Sequence, residues 1–207
     1  MTAASPERWK ALWRKMGAKD DGLEVYQELV SFYSESHRYY HNLTHISDCL
    51  HEFDAARALA QQPLAVELAI WFHDAIYTTQ AADNEEKSAE LGKRRISEAG
   101  VGAELCQSVY ALVMATKTHD ATLHSDAPLL VDVDLSILGK SEERFWKYEA
   151  QIRSEYDWVP DAVFANKRAE ILQRFLARER IYSTSQFYEL YEKQARANID
   201  ASIQKLK

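Results

Sequence analysis

The chain has 207 residues, with 25 basic and 32 acidic side chains and a net charge of −7. Its six glycines and four prolines make up about 5% of the residues, against about 12% in an average soluble protein. So few turn formers exclude a many-stranded sandwich or barrel and leave no glycine-rich phosphate loop, which predicts an all-α fold, and the acidic balance argues against broad nucleic-acid binding.

Helical patterns are predicted over 6–16, 22–36, 42–60, 63–78, 84–99, 102–117, 128–138, 141–156, 160–179 and 184–205. Pro6, Pro63 and Pro160 open helices, as proline in a first turn does. Gly17 with Gly22, and Gly100 with Gly102, separate neighbouring helices, while Gly92 falls inside one. Trp9, Trp13, Phe32 and Tyr33, at helical spacing, read as packing aromatics. The stretch 118–127 is polar and without period, hence a loop. The last helix is aromatic around Tyr182, Phe187, Tyr188 and Tyr191 and then turns polar, so it is expected on the outside.

No linker, repeat or low-complexity tract appears, so a single domain over 1–207 is expected, its core at about 26–180 with the terminal helices packed on it. No apolar run approaches the ~20 residues of a membrane helix, and MTAASPERWK does not resemble a secretory leader. Cys49 and Cys106 are far apart and read as reduced core thiols. These features predict a cytoplasmic protein with no membrane partner; they leave its oligomeric state open.

The helix over 63–78 is apolar nearly all round, with Val66, Leu68, Ile70, Trp71, Phe72 and Ile76, and should be central and buried. His73-Asp74 falls within it. Mid-helix placement rules out a capping role for Asp74, and a buried carboxylate requires a partner, either a basic side chain or a metal ion. His37, His41 and His45 recur every four residues, which on a helix puts them on one face beside the apolar face of Leu43, Ile46, Leu50 and Phe53. Asp132 and Asp134 interrupt the apolar run 129–138 and pose the same desolvation problem, helix capping being the other reading of Asp132. Leu138-Gly139-Lys140-Ser141 looks like the end of a P-loop but lacks its first glycine, since position 134 is Asp, and no strand precedes it.

The order His45, His73-Asp74, Asp134 resembles the ligand pattern of the HD superfamily of metal-dependent phosphohydrolases. Four further blocks resemble a subfamily of about 200 residues: 38–45 (RYYHNLTH), 71–77 (WFHDAIY), 83–89 (DNEEKSA) and 132–139 (DVDLSILG), joined by a C-terminal block from Ile181 to Asn198. The resemblance implies an HD-domain-like helical bundle whose central buried helix carries the His-Asp pair. It implies the metal ligands His45, His73, Asp74 and Asp134, with Asp132 as the alternate for the last and His41 and His119 as extra ligands. A second ion would draw on His119 and His124; one ion is expected rather than two.

Mixed imidazole and carboxylate suits Mn, Fe, Co, Ni or Zn, with Mg if phosphate oxygens complete the shell. Such an ion activates water and polarises a phosphoryl oxygen of a small phosphorylated substrate, a phosphomonoester or phosphodiester, with nucleotides among the candidates. Glu85 and Glu86 are the candidate general acid or base, Glu85 preferred for its place in Asn84-Glu85-x-x-Ser88. Many HD hydrolases carry Lys three residues after the HD aspartate, where this chain has Tyr77; phosphate contacts then fall to Arg38, Lys87, Lys117 or Arg94. Two other classes remain: a di-iron oxygenase on the HD fold, and a non-catalytic protein that binds metal or ligand.

Overall fold

A computed structural model describes residues 3–118 and 122–207. Among them the regular structure is entirely helical: α1 Pro6–Lys15, α2 Leu23–Tyr33, α3 Leu43–Ala56, α4 Pro63–Phe72, α5 Asn84–Glu98, α6 Ala103–Thr118, α7 Ala127–Asp134, α8 Glu142–Glu155, α9 Asp161–Leu176 and α10 Ser185–Leu206, with short 3-10 segments at Arg57–Leu59 and Leu135–Gly139. The chain divides into two compact units, Met1–Val131 and Asp132–Lys207. No described helix is long and apolar enough to cross a membrane.

In the first unit α4 is the core. Every residue from Ala65 to Phe72 is buried, Glu67 included. Trp9 of α1 packs edge-on to Trp71 with ring centroids 5.2 Å apart, and stacks on Trp13 at 5.0 Å. Both α1 indoles find acceptors: Trp9 Nε1 donates to Gly22 O at 2.7 Å and Trp13 Nε1 to Asp20 Oδ1 at 2.7 Å. Gly22 is required there twice over, since its φ is +67° and a Cβ would stand 2.4 Å from the Trp13 ring. Glu67 is held by Arg8 Nε at 2.7 Å and by Arg57, which ties α1 and the end of α3 to the central helix. At its start α4 is capped from a distance: buried Asp126 accepts from Gln61 N and Gln62 N at 2.8 and 2.7 Å.

Helix α4 stops at Phe72, six residues short of the predicted end, so His73-Asp74 is not mid-helix. Side chains take backbone carbonyls at the helix end and in the segment beyond it. Tyr33 donates its hydroxyl to Trp71 O at 2.9 Å, Arg38 donates to Asp74 O and Ala75 O at 2.6 and 2.8 Å, and Asn84 Nδ2 donates to Thr78 O at 2.9 Å. The chain then turns away at 73–76. A second difference concerns His37 and His41. They lie in turns ahead of α3, whose N-cap is Asn42 (its side chain accepts from Thr44 N at 2.8 Å), so their four-residue spacing does not place them on a helix face.

Gly92, the glycine inside a helix, lets α5 approach α4. An added Cβ would lie 3.0 Å from Phe72 Cγ. Gly92→Val is therefore expected to destabilise the protein by about 1–3 kcal/mol, the usual range for overpacking a core. A thermal melt measures this, and an unchanged midpoint would mean that Phe72 has room to shift.

The second unit is built on α10, which is its core helix rather than an outer one. Phe187, Ala195, Ile199 and Ile203 are buried. Asn198 Nδ2 donates to Leu138 O and Lys140 O at 2.8 and 2.9 Å, and Gly139 permits the approach, because a Cβ there would lie 2.8 Å from Tyr191 O. Glu192 accepts from Ile181 N at 3.0 Å and Tyr182 N at 3.2 Å. The C-terminal block legible in the sequence thus serves to fix the 3-10 turn and the segment before α10.

Candidate metal centre

Three side chains of the first unit converge where α4 ends. His45 comes from the first turn of α3, and His73 and Asp74 from the turn after Phe72. His45 Nε2 lies 3.2 Å from His73 Nε2 and 3.5 Å from Asp74 Oδ2, and His73 Nε2 lies 3.1 Å from Asp74 Oδ2. Both imidazoles are 2% exposed. An ion about 2.0–2.2 Å from each ligand atom would set its ligands about 2.8–3.1 Å apart in a cis octahedral arrangement and about 3.3–3.6 Å apart in a tetrahedral one. The three separations fall in that range, so the donor set fits a divalent ion in both spacing and chemistry.

Hydrogen bonding sharpens the fit. His73 Nδ1 lies 2.9 Å from Ile70 O, and because a carbonyl only accepts, Nδ1 carries the hydrogen. In the neutral ring Nε2 then presents a lone pair to a carboxylate oxygen. A hydrogen on His45 Nε2 can serve one of its two neighbours, while a cation among the three atoms serves all of them. For Asp74, burial works to raise the carboxyl pKa; when the neighbouring imidazoles are protonated, the charges of His73 and His41 and hydrogen bonds from His45 and His73 outweigh it and hold the group well below the usual carboxylate range.

His41 reaches this region from its turn. Its ring stacks on Tyr77 with centroids 4.2 Å apart and stands 6.0 Å from the His45 ring. His37 Nε2 instead bonds Tyr77 O at 3.0 Å. Cys49, one turn after His45, is buried as expected of a core thiol, and its Sγ lies 3.7 Å from His45 Nδ1. His119 lies outside the described residues. His124 Nδ1 accepts from Asp126 N at 3.0 Å and so helps to form the turn before α7.

Asp134 and Asp132 belong to the second unit. Asp132 is fully buried, and its carboxylate accepts from Ser183 N at 2.8 Å, Thr184 N at 2.7 Å and Thr184 Oγ1 at 2.7 Å. Burial nonetheless outweighs those bonds and raises its pKa. These bonds give Asp132 a structural role in its own unit and make it a poor alternate ligand.

The remaining candidates are placed at and around α5. Glu85 and Glu86 are half-buried in its first turn. Glu86 pairs with Lys117, whose Nζ also donates to Ala82 O at 3.1 Å, and this pairing lowers the Glu86 pKa. Lys87 pairs with Asp83 at 2.9 Å. Arg38 is turned inward, its side chain fully buried, which removes it as a phosphate contact. The block Asn84-x-x-x-Ser88 acts through its ends. Asn84 Oδ1 accepts from Thr78 N at 3.1 Å, and Ser88 Oγ accepts from Ile76 N at 3.0 Å, which fastens the turn carrying His73-Asp74 to α5. Asn84, Ser88 and Tyr33 were not legible as residues that shape the site, because each acts on backbone groups that come near it only in the folded chain.

Compared with known proteins, the chain matches no family model, no curated protein and no solved structure.

Proposed function

We propose that this protein is an HD-type, metal-dependent phosphohydrolase in which His45, His73 and Asp74 hold a divalent ion. The observation that carries the reading is the convergence of two imidazole nitrogens and one carboxylate oxygen, all within 3.5 Å of one another, at the end of a buried helix. The sequence order of the HD pattern supports it and assigns Asp134 to the same set. When bound, such an ion supplies an activated water and polarises a phosphoryl oxygen.

The chain's own groups have separable tasks. His73 is held in one tautomer by Ile70 O, so its Nε2 is available as a donor atom. Glu85 is the better candidate to move a proton, since Glu86 is engaged by Lys117. Lys87 is the better candidate to meet substrate charge, because an exposed ion pair such as Lys87–Asp83 contributes about 0–1 kcal/mol and is easily exchanged for phosphate.

The test is metal analysis of the purified protein followed by a phosphomonoester, phosphodiester and nucleotide panel with Mn²⁺, Co²⁺, Ni²⁺, Zn²⁺ and Mg²⁺. One ion per chain and metal-dependent phosphate release are expected. Two irons with oxygen uptake would replace this reading with the di-iron one. Bound metal with no turnover anywhere on the panel would leave a non-catalytic metal protein.

A further inference from the structure

Arg38 has the features of a phosphate contact in the sequence, yet its guanidinium faces inward. Nη1 donates to Asp74 O at 2.6 Å and to His41 O at 3.2 Å, Nη2 to Ala75 O at 2.8 Å, and Nε to Glu35 Oε2 at 2.9 Å. The rings of Tyr33 and Tyr77 flank it, with centroids 5.3 and 5.6 Å from Cζ. Burying a guanidinium is costly unless its donors are used, and here the fork is filled by three main-chain carbonyls and a carboxylate. Those carbonyls come from two separate segments, the turn before α3 and the turn after α4. Because α4 ends at Phe72, helical hydrogen bonding does not hold the Asp74 backbone in place, and Arg38 supplies the missing partners.

We infer that Arg38 is the positioning residue of the metal centre: it sets the Asp74 carboxylate against His45 and His73, and locks the His41 turn to the same frame. This rests on the metal-binding role proposed for His45, His73 and Asp74. The geometry also accounts for the residue type. A planar fork reaches carbonyls of both turns at once, whereas a lysine ammonium acts as a point charge and reaches one of them well.

The test compares wild type, Arg38→Lys and Arg38→Met by chelator competition for Co²⁺ and Zn²⁺, by the visible absorption spectrum of the Co²⁺ form and by thermal melting of the metal-free protein. Arg38→Met is expected to bind either ion roughly 10–100-fold more weakly, the usual effect of removing a group that orients a ligand. Its Co²⁺ spectrum should shift as the ligand geometry relaxes. Arg38→Lys should recover most of the metal-free melting temperature but not the affinity or the spectrum, a split that a purely structural role would not produce. In an Arg38→Ala protein, added methylguanidinium should restore part of the affinity. Should the Met and Ala variants fail to fold, Arg38→Lys decides, since it keeps the charge and most of the volume. A folded Arg38→Lys with wild-type affinity and spectrum overturns the inference while leaving the metal centre intact. A wild type that takes up neither ion overturns both.

Discussion

Asp74→Asn and His73→Ala are each expected to bind Co²⁺ or Zn²⁺ more than about 100-fold more weakly than the wild type. Changing a group that merely orients a ligand costs about 10–100-fold, and removing a ligand should exceed that. Asn keeps the shape of Asp74 but removes the charge that an ion and two imidazoles converge on. Chelator competition reads the affinity, and any metal-dependent phosphate release should fall with it. Wild-type affinity in both variants would mean that this cluster is not the metal site.

The metal-free protein offers a second reading of the same group. The folded pKa of Asp74 is depressed, so while the neighbouring imidazoles are protonated its contribution to stability is present above the unfolded carboxyl value of about 3.9. That contribution is lost as the pH falls through the lower, folded value. Melting curves of the metal-free protein across the acid range should therefore show a loss that Asp74→Asn lacks.

Asp132→Ala is the complementary case, with a large effect on stability and none on metal. The substitution leaves Ser183 N, Thr184 N and Thr184 Oγ1 without their acceptor and opens space at a fully buried position. A loss of about 2–3 kcal/mol is expected from those donors, read as a fall in melting temperature of roughly 4–12 °C. The charge itself does not stabilise. Burial raises the folded pKa of Asp132, so this group's contribution declines as the pH rises from the unfolded value of about 3.9 through the folded one. Metal content should remain that of the wild type. Metal content in Asp134→Ala then tests the assignment that the sequence order makes, and loss of metal in Asp132→Ala but not in Asp134→Ala would exchange the two.

Much of the helical order was legible in the chain because local rules generate it. Pro6, Pro63 and Pro160 do open helices, Gly22 and Gly100 do turn the chain with positive φ, and Trp9 and Trp13 are core residues. The errors lie where side chains compete with the helix for backbone groups. Periodicity carried the central helix on to residue 78, because the apolar run continues through Ala75 and Ile76. It could not register that Tyr33, Arg38 and Asn84 would take the carbonyls. In the same way, a four-residue spacing put His37 and His41 on a helix, where Asn42 instead caps the next one and leaves them in turns.

The sequence by itself singled out His45, His73 and Asp74, with Asp134, as candidate ligands through the HD resemblance, and marked the buried carboxylate of Asp74 as a group that needs a cation or a charge partner. It also determined the all-α class, through the scarcity of breakers. Tertiary structure alone decided the roles of the charged residues around that centre. Arg38, a plausible phosphate contact by type, is an internal clamp, Asp132 is an acceptor for the segment before α10, and Glu86 is a partner of Lys117. The physical reason is that a charged side chain acts on whatever donor or acceptor lies within about 3 Å, and that neighbour is set by chain segments tens of residues away.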